Sequence, residues 1–417
     1  MMKSLAFFLL FGALSAQATV LSPSSLEVRF TYSAEFQTSD SLDPVTLADS
    51  HAQHLFGYLQ SPSIVSSFGV NNRTLGVGAP RLPLSYEILK NRKSSGIRTI
   101  AYKVSGVLLL NKKAATELLK KGSWQITLPA DLDSFYDEKC TDEHYSGYGD
   151  FWYFYDPFRK GCEFLRESPL ASPVTVTISP LKKQIEDADS ALEEVRGDNG
   201  NGELFQITTI NGFSESARDK MDDGRLSFDE INNWLRGLGF EETIIARYLN
   251  RPVHQFDKSV RKSDGSVVHI RVTRLLAETA IASKNVTFAK FFKNAVKNAD
   301  VIIYAGHSGL GGNLDIGSLE EKTGPLEFNA SKRQIFFFDG CSSYSYYLSM
   351  FEEQKTKGKI DILTNGLASY FSYEAPIHKA FYRQLFKVND NPTWNEILTD
   401  MEKPLRGMTF MLNVGSL

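Results

Sequence analysis

Two unbroken runs of apolar residues near the C-terminus constrain the fold of this 417-residue chain most strongly. Residues 301–305 lead into Gly306 and His307, and residues 335–338 lead toward Cys341. Continuous apolar runs are typical of strands that are buried on both faces of a parallel sheet. Parallel strands present their chemistry at their carboxyl edge, so we expect His307 and Cys341 to emerge at one edge. Their separation of 34 residues (341 − 307) leaves room for the crossover that parallel neighbours need.

A histidine beside a thiol can activate cysteine as a nucleophile, and both segments resemble motifs of known enzymes. Residues 304–307 are similar to the histidine segment of metacaspases, and residues 339–341 are similar to their Asp-x-Cys segment. The chain thus resembles the caspase-like cysteine peptidases, which include caspases, metacaspases, legumains, gingipains and clostripains. The resemblance covers about the last half of the chain. It implies an α/β fold with a helix-flanked parallel sheet, in which Cys341 attacks a peptide carbonyl and His307 protonates the leaving amine.

The same resemblance implies roles for three neighbouring residues. Asp339 would line the pocket for the side chain before the cleaved bond, and its carboxylate would select Arg or Lys; a buried Asp339 bonded to nearby backbone is the alternative. The oxyanion would be held by backbone N–H groups of Cys341 and of Ser308 or Gly309. Ser308 stands where the family usually has glycine, which favours a second interpretation as a catalytically inactive scaffold or binding protein.

A serine hydrolase is the third interpretation of this region. The segment 306–312 resembles the Gly-x-Ser-x-Gly motif that presents a nucleophilic serine, here Ser308. Leu310 replaces the final glycine of that motif, and His378 is the plausible base downstream.

The sequence also predicts the ionisation state of the cysteine. A helix that begins near Ser342 would place the positive end of its dipole at the Cys341 sulfur. A protonated His307 would add a second positive charge. We therefore expect the thiolate of Cys341 to be favoured.

The N-terminus has the features of a secretory signal peptide over residues 1–18. Lys3 precedes an apolar stretch at residues 5–14, and Ala16 and Ala18 form a small-x-small cleavage site. The pattern predicts an exported protein, periplasmic or secreted, whose mature chain begins at Thr19. No later stretch of the sequence is long and apolar enough to predict a transmembrane segment.

The chain contains three cysteines, and an exported protein meets an oxidising compartment. Cys140 and Cys162 lie in one aromatic-rich segment and are the natural disulfide partners, which leaves Cys341 as a free thiol. Residues 149–157 between them are a candidate recognition loop or a packed hairpin. The net charge of −3 gives no electrostatic argument for nucleic-acid binding. The resemblance to cysteine peptidases implies a peptide or protein substrate as the partner.

The remaining patterns predict a two-part organisation. Residues 19–195 read as a β-rich domain with antiparallel strands, which ends in a charged helix over residues 180–195. Breaker residues at 196–203 predict a linker. Residues 204–417 alternate strands and helices, with a possible helix over residues 242–249.

A twelve-residue acidic segment at 219–230 fits the calcium loop of an EF-hand, with Met221 in place of one expected ligand. The alternative is an acidic loop that leads into an amphipathic helix, with Asp or Ser as its cap. The candidate Ca²⁺ ligands are Asp219, Asp223, Arg225 through its carbonyl, Ser227 and Glu230.

Overall fold

The structure is a computed structural model that describes residues 19–132, 140–141, 155–166, 171–196, 204–248, 251–280 and 286–416. The predicted signal peptide, residues 197–203 of the predicted linker and residues 149–154 of the aromatic segment lie outside the described residues. Within these ranges, every helix is too short or too polar to traverse a lipid bilayer.

The described residues form fifteen strands and ten α-helices. The strands are β1 (Val20–Leu21), β2 (Ser25–Thr38), β3 (Gly78–Pro80), β4 (Ser85–Ser94), β5 (Ile97–Asn111), β6 (Ser123–Pro129), β7 (Ala171–Pro180), β8 (Leu204–Gly212), β9 (Glu241–Tyr248), β10 (Arg251–Arg261), β11 (Val267–Ala277), β12 (Val301–Ala305), β13 (Gln334–Asp339), β14 (Ile360–Asn365) and β15 (Leu412–Gly415). The helices are α1 (Pro44–Leu59), α2 (Pro62–Ser67), α3 (Lys112–Lys121), α4 (Leu192–Arg196), α5 (Asp223–Gly237), α6 (Thr287–Asn298), α7 (Ile316–Thr323), α8 (Ser343–Glu352), α9 (Glu374–Leu385) and α10 (Trp394–Glu402).

A nine-stranded mixed sheet runs in the order β1-β15-β14-β13-β12-β8-β11-β10-β9. Its central strands, from β14 to β11, are parallel. Strands β15 and β1 on one side and β10 and β9 on the other pair antiparallel. The prediction of a helix-flanked parallel sheet is therefore correct for the centre, and both edges are antiparallel.

The apolar runs bury both faces of this sheet, as continuous hydrophobicity predicts. Ile303 and Phe337 point into the core formed with α5, α9 and α10. Ile302 and Phe336 point to the opposite face, into the core with α6, α7 and α8. Because successive strand residues alternate between faces, one run supplies both cores.

A second sheet of six antiparallel strands has the order β3-β5-β2-β7-β6, with β4 also pairing with β5. Alternate residues of β2 and β5 pack under α1, α2 and α3, as in the half-buried strands predicted from alternation. The Cys140–Cys162 disulfide is confirmed, with the two Cα atoms 5.0 Å apart. Strand β1 lies at the predicted start of the β-rich part, yet it pairs with β15 in the large sheet.

Two predicted helices are wrong. Of residues 242–249, those up to Tyr248 lie in strand β9, because the β-branched run at 243–245 pairs with β10 as an antiparallel hairpin; residue 249 lies outside the described residues. Of residues 180–195, only those from Leu192 onward are helical. The carboxylates of Asp187 and Asp189 accept hydrogen bonds from nearby backbone N–H groups, which offers the chain an alternative to the helix.

Candidate active site

The carboxyl ends of β12 and β13 define the site. These strands are parallel neighbours in which Ala305 is paired with Asp339, so the residues that follow them emerge at the same edge. A Cβ atom on Gly340 would lie 2.8 Å from the carbonyl oxygen of Gly306, closer than real contacts allow. Glycine at position 340 therefore permits the two strand ends to approach each other.

His307 and Cys341 line a common cleft at this edge, where the strand pattern predicts them. The space between the protein atoms of this cleft is about 260 Å³, which includes open solvent at its mouth. Its lining residues are Gly306, His307, Asp339, Cys341, Ser369, Tyr370, Phe371 and Glu374. The segment 369–374 precedes and begins α9, and its contribution had no signal in the sequence patterns.

The exposed ring of His307 is held by one of its two nitrogens. Nε2 lies 2.7 Å from the carbonyl oxygen of Ser214, which follows β8. A carbonyl oxygen only accepts, so Nε2 carries the proton of this bond and the neutral ring keeps its lone pair on Nδ1. The ring of Phe371 packs edge-on at 5.1 Å between centroids. The backbone carbonyl of His307 accepts hydrogen bonds from Tyr304 Oη at 2.6 Å and Asn313 Nδ2 at 2.8 Å.

The Ser214 carbonyl is itself positioned by a buried carboxylate that the sequence analysis did not select. Asp222 accepts hydrogen bonds from the backbone N–H groups of Ser214, Glu215 and Ser216, and it caps α5 through the N–H of Arg225. Burial disfavours the charged carboxylate, but these bonds outweigh it and hold the pKa of Asp222 below its usual value. The available signal was an aspartate just before an amphipathic helix, which is typical of an N-cap.

The thiol of Cys341 is free, partly exposed, and 3.9 Å from the carbonyl oxygen of Ser369. Burial of the sulfur raises its pKa, and the nearby charge of Asp339 raises it further. Ser342 adopts a left-handed conformation (φ 50°) before α8 begins. The direction of this pKa shift is opposite to the expected thiolate, because burial disfavours the charged sulfur.

Two buried carboxyl groups line the cleft. Asp339 accepts hydrogen bonds from Asn365 Nδ2 at 2.8 Å and from His378 Nε2 at 2.9 Å. Both of these partners are side chains, and Asp339 also lines the cleft. Glu374 accepts a hydrogen bond from the amide of Asn211. Burial, reinforced by the charge of Asp339, raises the pKa of Glu374 well above its usual range.

The predicted oxyanion residues follow His307 in a fixed turn. The Ser308 side chain is buried, its backbone avoids positive φ, and its carbonyl accepts a hydrogen bond from Tyr347 Oη at 2.7 Å. A serine therefore fits at position 308 without backbone strain. Gly309 has φ +57°, and a Cβ atom there would lie 2.6 Å from Asn313 Oδ1, so position 309 requires glycine.

The candidate calcium residues do not assemble into a loop. Helix α5 begins at Asp223 and spans most of the segment. Glu230 pairs with Lys379 at 2.5 Å, and Ser227 donates to the carbonyl of Phe371. Asp219 accepts a hydrogen bond from the N–H of Met221 two residues on, and the Arg225 side chain donates to backbone carbonyls. In the parts of the chain that the structure describes, no group of three His, Cys, Asp or Glu side chains is arranged to hold a metal ion. Asp222 caps the helix that follows this acidic segment, and calcium binding stays a prediction.

Comparison with known proteins does not identify a family for this chain. A scan against protein-family models matches none, and a search of curated proteins gives no match. The chemistry of the site therefore has to be inferred from its own residues: a free thiol and a histidine with one anchored nitrogen, in a cleft with two buried carboxyl groups.

Proposed function

We propose that this protein is an exported cysteine endopeptidase of the caspase-like type, with His307 and Cys341 as its dyad. The observation that carries the proposal is that both side chains line one cleft at the ends of adjacent parallel strands. The Ser214 carbonyl supports it further, because it assigns the proton to Nε2 and leaves Nδ1 as the base. The Cys140–Cys162 disulfide is consistent with export.

Because the pKa of Cys341 is raised in the free protein, we place the first proton transfer after the substrate has bound. As Sγ bonds to the scissile carbonyl carbon, Nδ1 of His307 takes the thiol proton, and the carbonyl oxygen gains the negative charge. Backbone N–H groups of Cys341 and of Ser308 or Gly309 stabilise that oxyanion. Collapse of the intermediate transfers the proton to the leaving amine and forms a thioester, which water then hydrolyses to regenerate the thiol.

The carboxyl groups of Asp339 and Glu374 support a preference for Arg or Lys before the cleaved bond. A guanidinium or ammonium group that enters the cleft would favour the charged form of Glu374, which burial disfavours in the free protein. A peptide with citrulline in place of arginine has nearly the same shape without the charge. We expect kcat/KM to be at least about 100-fold higher for the arginine peptide, and Glu374→Gln to reduce this ratio.

The nucleophile is tested with two matched variants. Cys341→Ala removes the thiol, and Ser308→Ala removes the hydroxyl of the rival serine mechanism while it keeps the backbone N–H. We expect Cys341→Ala to abolish cleavage of an arginine-containing peptide library at an unchanged Tm, and Ser308→Ala to remain active. The opposite pattern would establish the serine hydrolase. His378, the base which that mechanism needs, is fully buried and donates to Asp339.

An inactive scaffold is the remaining candidate, and the high pKa of the free thiol is the observation that favours it. Under this interpretation the wild-type protein cleaves no peptide in the library, yet it binds peptides with basic side chains through Asp339 and Glu374. Isothermal titration with the arginine and citrulline peptides distinguishes a binding cleft from a catalytic one.

A further inference from the structure

A buried carboxylate lies outside the proposed active site, at the junction of the two sheets. Glu27 of β2 is 1% exposed. Its Oε2 accepts a hydrogen bond from the backbone nitrogen of Thr19 at 2.6 Å, and Val20 N also donates to it at 3.3 Å. Its Oε1 accepts from Tyr344 Oη at 2.7 Å. Three of these four residues, Glu27, Thr19 and Val20, come from the N-terminal segment, and Tyr344 belongs to α8.

The carboxylates at this junction outnumber their cations. Among the described residues, Arg81 is the side-chain cation within 4 Å of Glu27, at 3.7 Å. The same guanidinium makes a shorter contact of 2.5 Å with Glu352 at the end of α8. One guanidinium thus serves two carboxylates. Glu352 is 33% exposed, whereas the buried Glu27 has this cation only at 3.7 Å, and a buried carboxylate without a close cation is costly.

The predicted removal of the signal peptide would place a positive charge on the backbone nitrogen of Thr19. A signal peptidase would add water across the amide bond between Ala18 and Thr19, which leaves a carboxylate on Ala18 and an amine on Thr19. The amine takes up a proton near neutral pH and becomes an ammonium group. The nitrogen that gains this charge is the one already 2.6 Å from Glu27, so a neutral hydrogen bond becomes a charge-assisted one.

We propose that Glu27 is the docking site for the Thr19 α-ammonium group, so that removal of the signal peptide completes the packing of α8. The connection to α8 runs through Tyr344, whose pKa is raised well above its usual value by burial and by the charge of Glu27. Tyr344 therefore keeps its proton, and its O–H group donates a hydrogen bond to Glu27. Helix α8 begins two residues after Cys341, so this cluster and the Arg81–Glu352 pair hold both ends of the helix that follows the thiol.

The test compares two full-length mature chains that differ only at the N-terminus. One begins at Thr19, released from a fusion by a protease that leaves no extra residue, and the other begins at Gln17. The extended chain keeps an amide at the Thr19 nitrogen. We expect its Tm to be lower by roughly 3–8 °C, because the buried carboxylate loses its closest cation. Acetylation of the Thr19 amine should produce the same loss.

Glu27→Gln is the matched variant that assigns the effect to this carboxylate. In the Glu27→Gln background, the two chains should have the same Tm. Glu35→Gln is the control: Glu35 lies on the same strand and pairs with Lys90 at the surface, so the difference between the chains should persist. Equal Tm values for the two wild-type chains, or a difference that survives Glu27→Gln, would overturn the proposal.

A measurement on the wild-type chain covers the case in which Glu27→Gln does not fold. The Thr19 amine of the folded protein should react with an acylating reagent at least about 10-fold more slowly than in the urea-unfolded chain. An equal rate in both states shows a free terminus and contradicts the docked ammonium. Because Tm and amine reactivity are independent of peptide cleavage, these results stand apart from the success or failure of the proposed peptidase activity.

Discussion

His51 in the core of the six-stranded sheet and His307 in the cleft are both anchored by a backbone carbonyl, yet the surroundings differ. His51 is fully buried; Nε2 donates to the carbonyl of Pro129 and Nδ1 accepts from Tyr102 Oη, both at 2.8 Å. Burial lowers its pKa to about 4, so the ring stays neutral. His307 is exposed and has one nitrogen anchored beside a free thiol. A histidine with both nitrogens occupied stabilises a core, whereas one with a single anchored nitrogen can transfer a proton.

The largest effect is expected when His307 is replaced. His307→Ala removes the proton acceptor, so kcat/KM for peptide cleavage should fall by about 10²–10⁴-fold while Tm stays within roughly 2 °C. His269→Ala is the control, because His269 is an exposed histidine bonded to Ser259 on the other half of the sheet. Similar losses in both variants would contradict a specific role for His307.

The next largest effect is expected at His51, in the dependence of stability on pH. Its pKa falls from 6.5 in the unfolded chain to about 4 in the fold, so the unfolded state binds more protons between these values. The stability that this ring supplies is fully present above pH 6.5 and is lost as the pH falls toward 4, by roughly 3 kcal/mol. His51→Gln should flatten this part of the urea-stability profile and leave kcat/KM for peptide cleavage by the folded protein unchanged. A profile with the same slope in the variant shows that other groups cause the acid sensitivity.

A smaller effect tests how the Ser214 carbonyl positions His307. Asp222→Asn replaces the carboxylate that holds the Ser214 turn, so kcat should fall about 10-fold with little change in KM. Asp219→Asn is the matched control, because Asp219 is an exposed neighbour that accepts one local hydrogen bond. Both variants are assayed with added Ca²⁺ and with a chelator. Activity that depends on Ca²⁺ and disappears in Asp219→Asn would revive the calcium prediction and contradict the positioning role of Asp222.

The parts of the structure that follow from local patterns were predictable from the sequence. The apolar runs of β12 and β13 identify their strands, their parallel pairing and the shared edge of His307 and Cys341. Cysteine arithmetic identifies the Cys140–Cys162 pair. In both cases a single constraint decides the outcome: burial on two faces for the strands, and the small number and sequence proximity of the cysteines for the disulfide.

The parts that depend on distant partners were not predictable. Ser214 anchors His307 across 93 residues, and Glu374 reaches the cleft from the start of α9. Neither position has a local pattern, because the function belongs to a backbone carbonyl or to a burial environment. The expectation of a thiolate at Cys341 did not account for desolvation, which raises the pKa of the thiol and is a property of the packed fold.

The most direct test of the dyad is covalent labelling with an arginine peptide that carries a chloromethyl ketone, followed by mass spectrometry of the digested protein. The account predicts one adduct, on Cys341, formed at least about 100-fold more slowly in His307→Ala and more slowly with a citrulline peptide. An adduct on Ser308, or labelling of Cys341 at the same rate without His307, would contradict it.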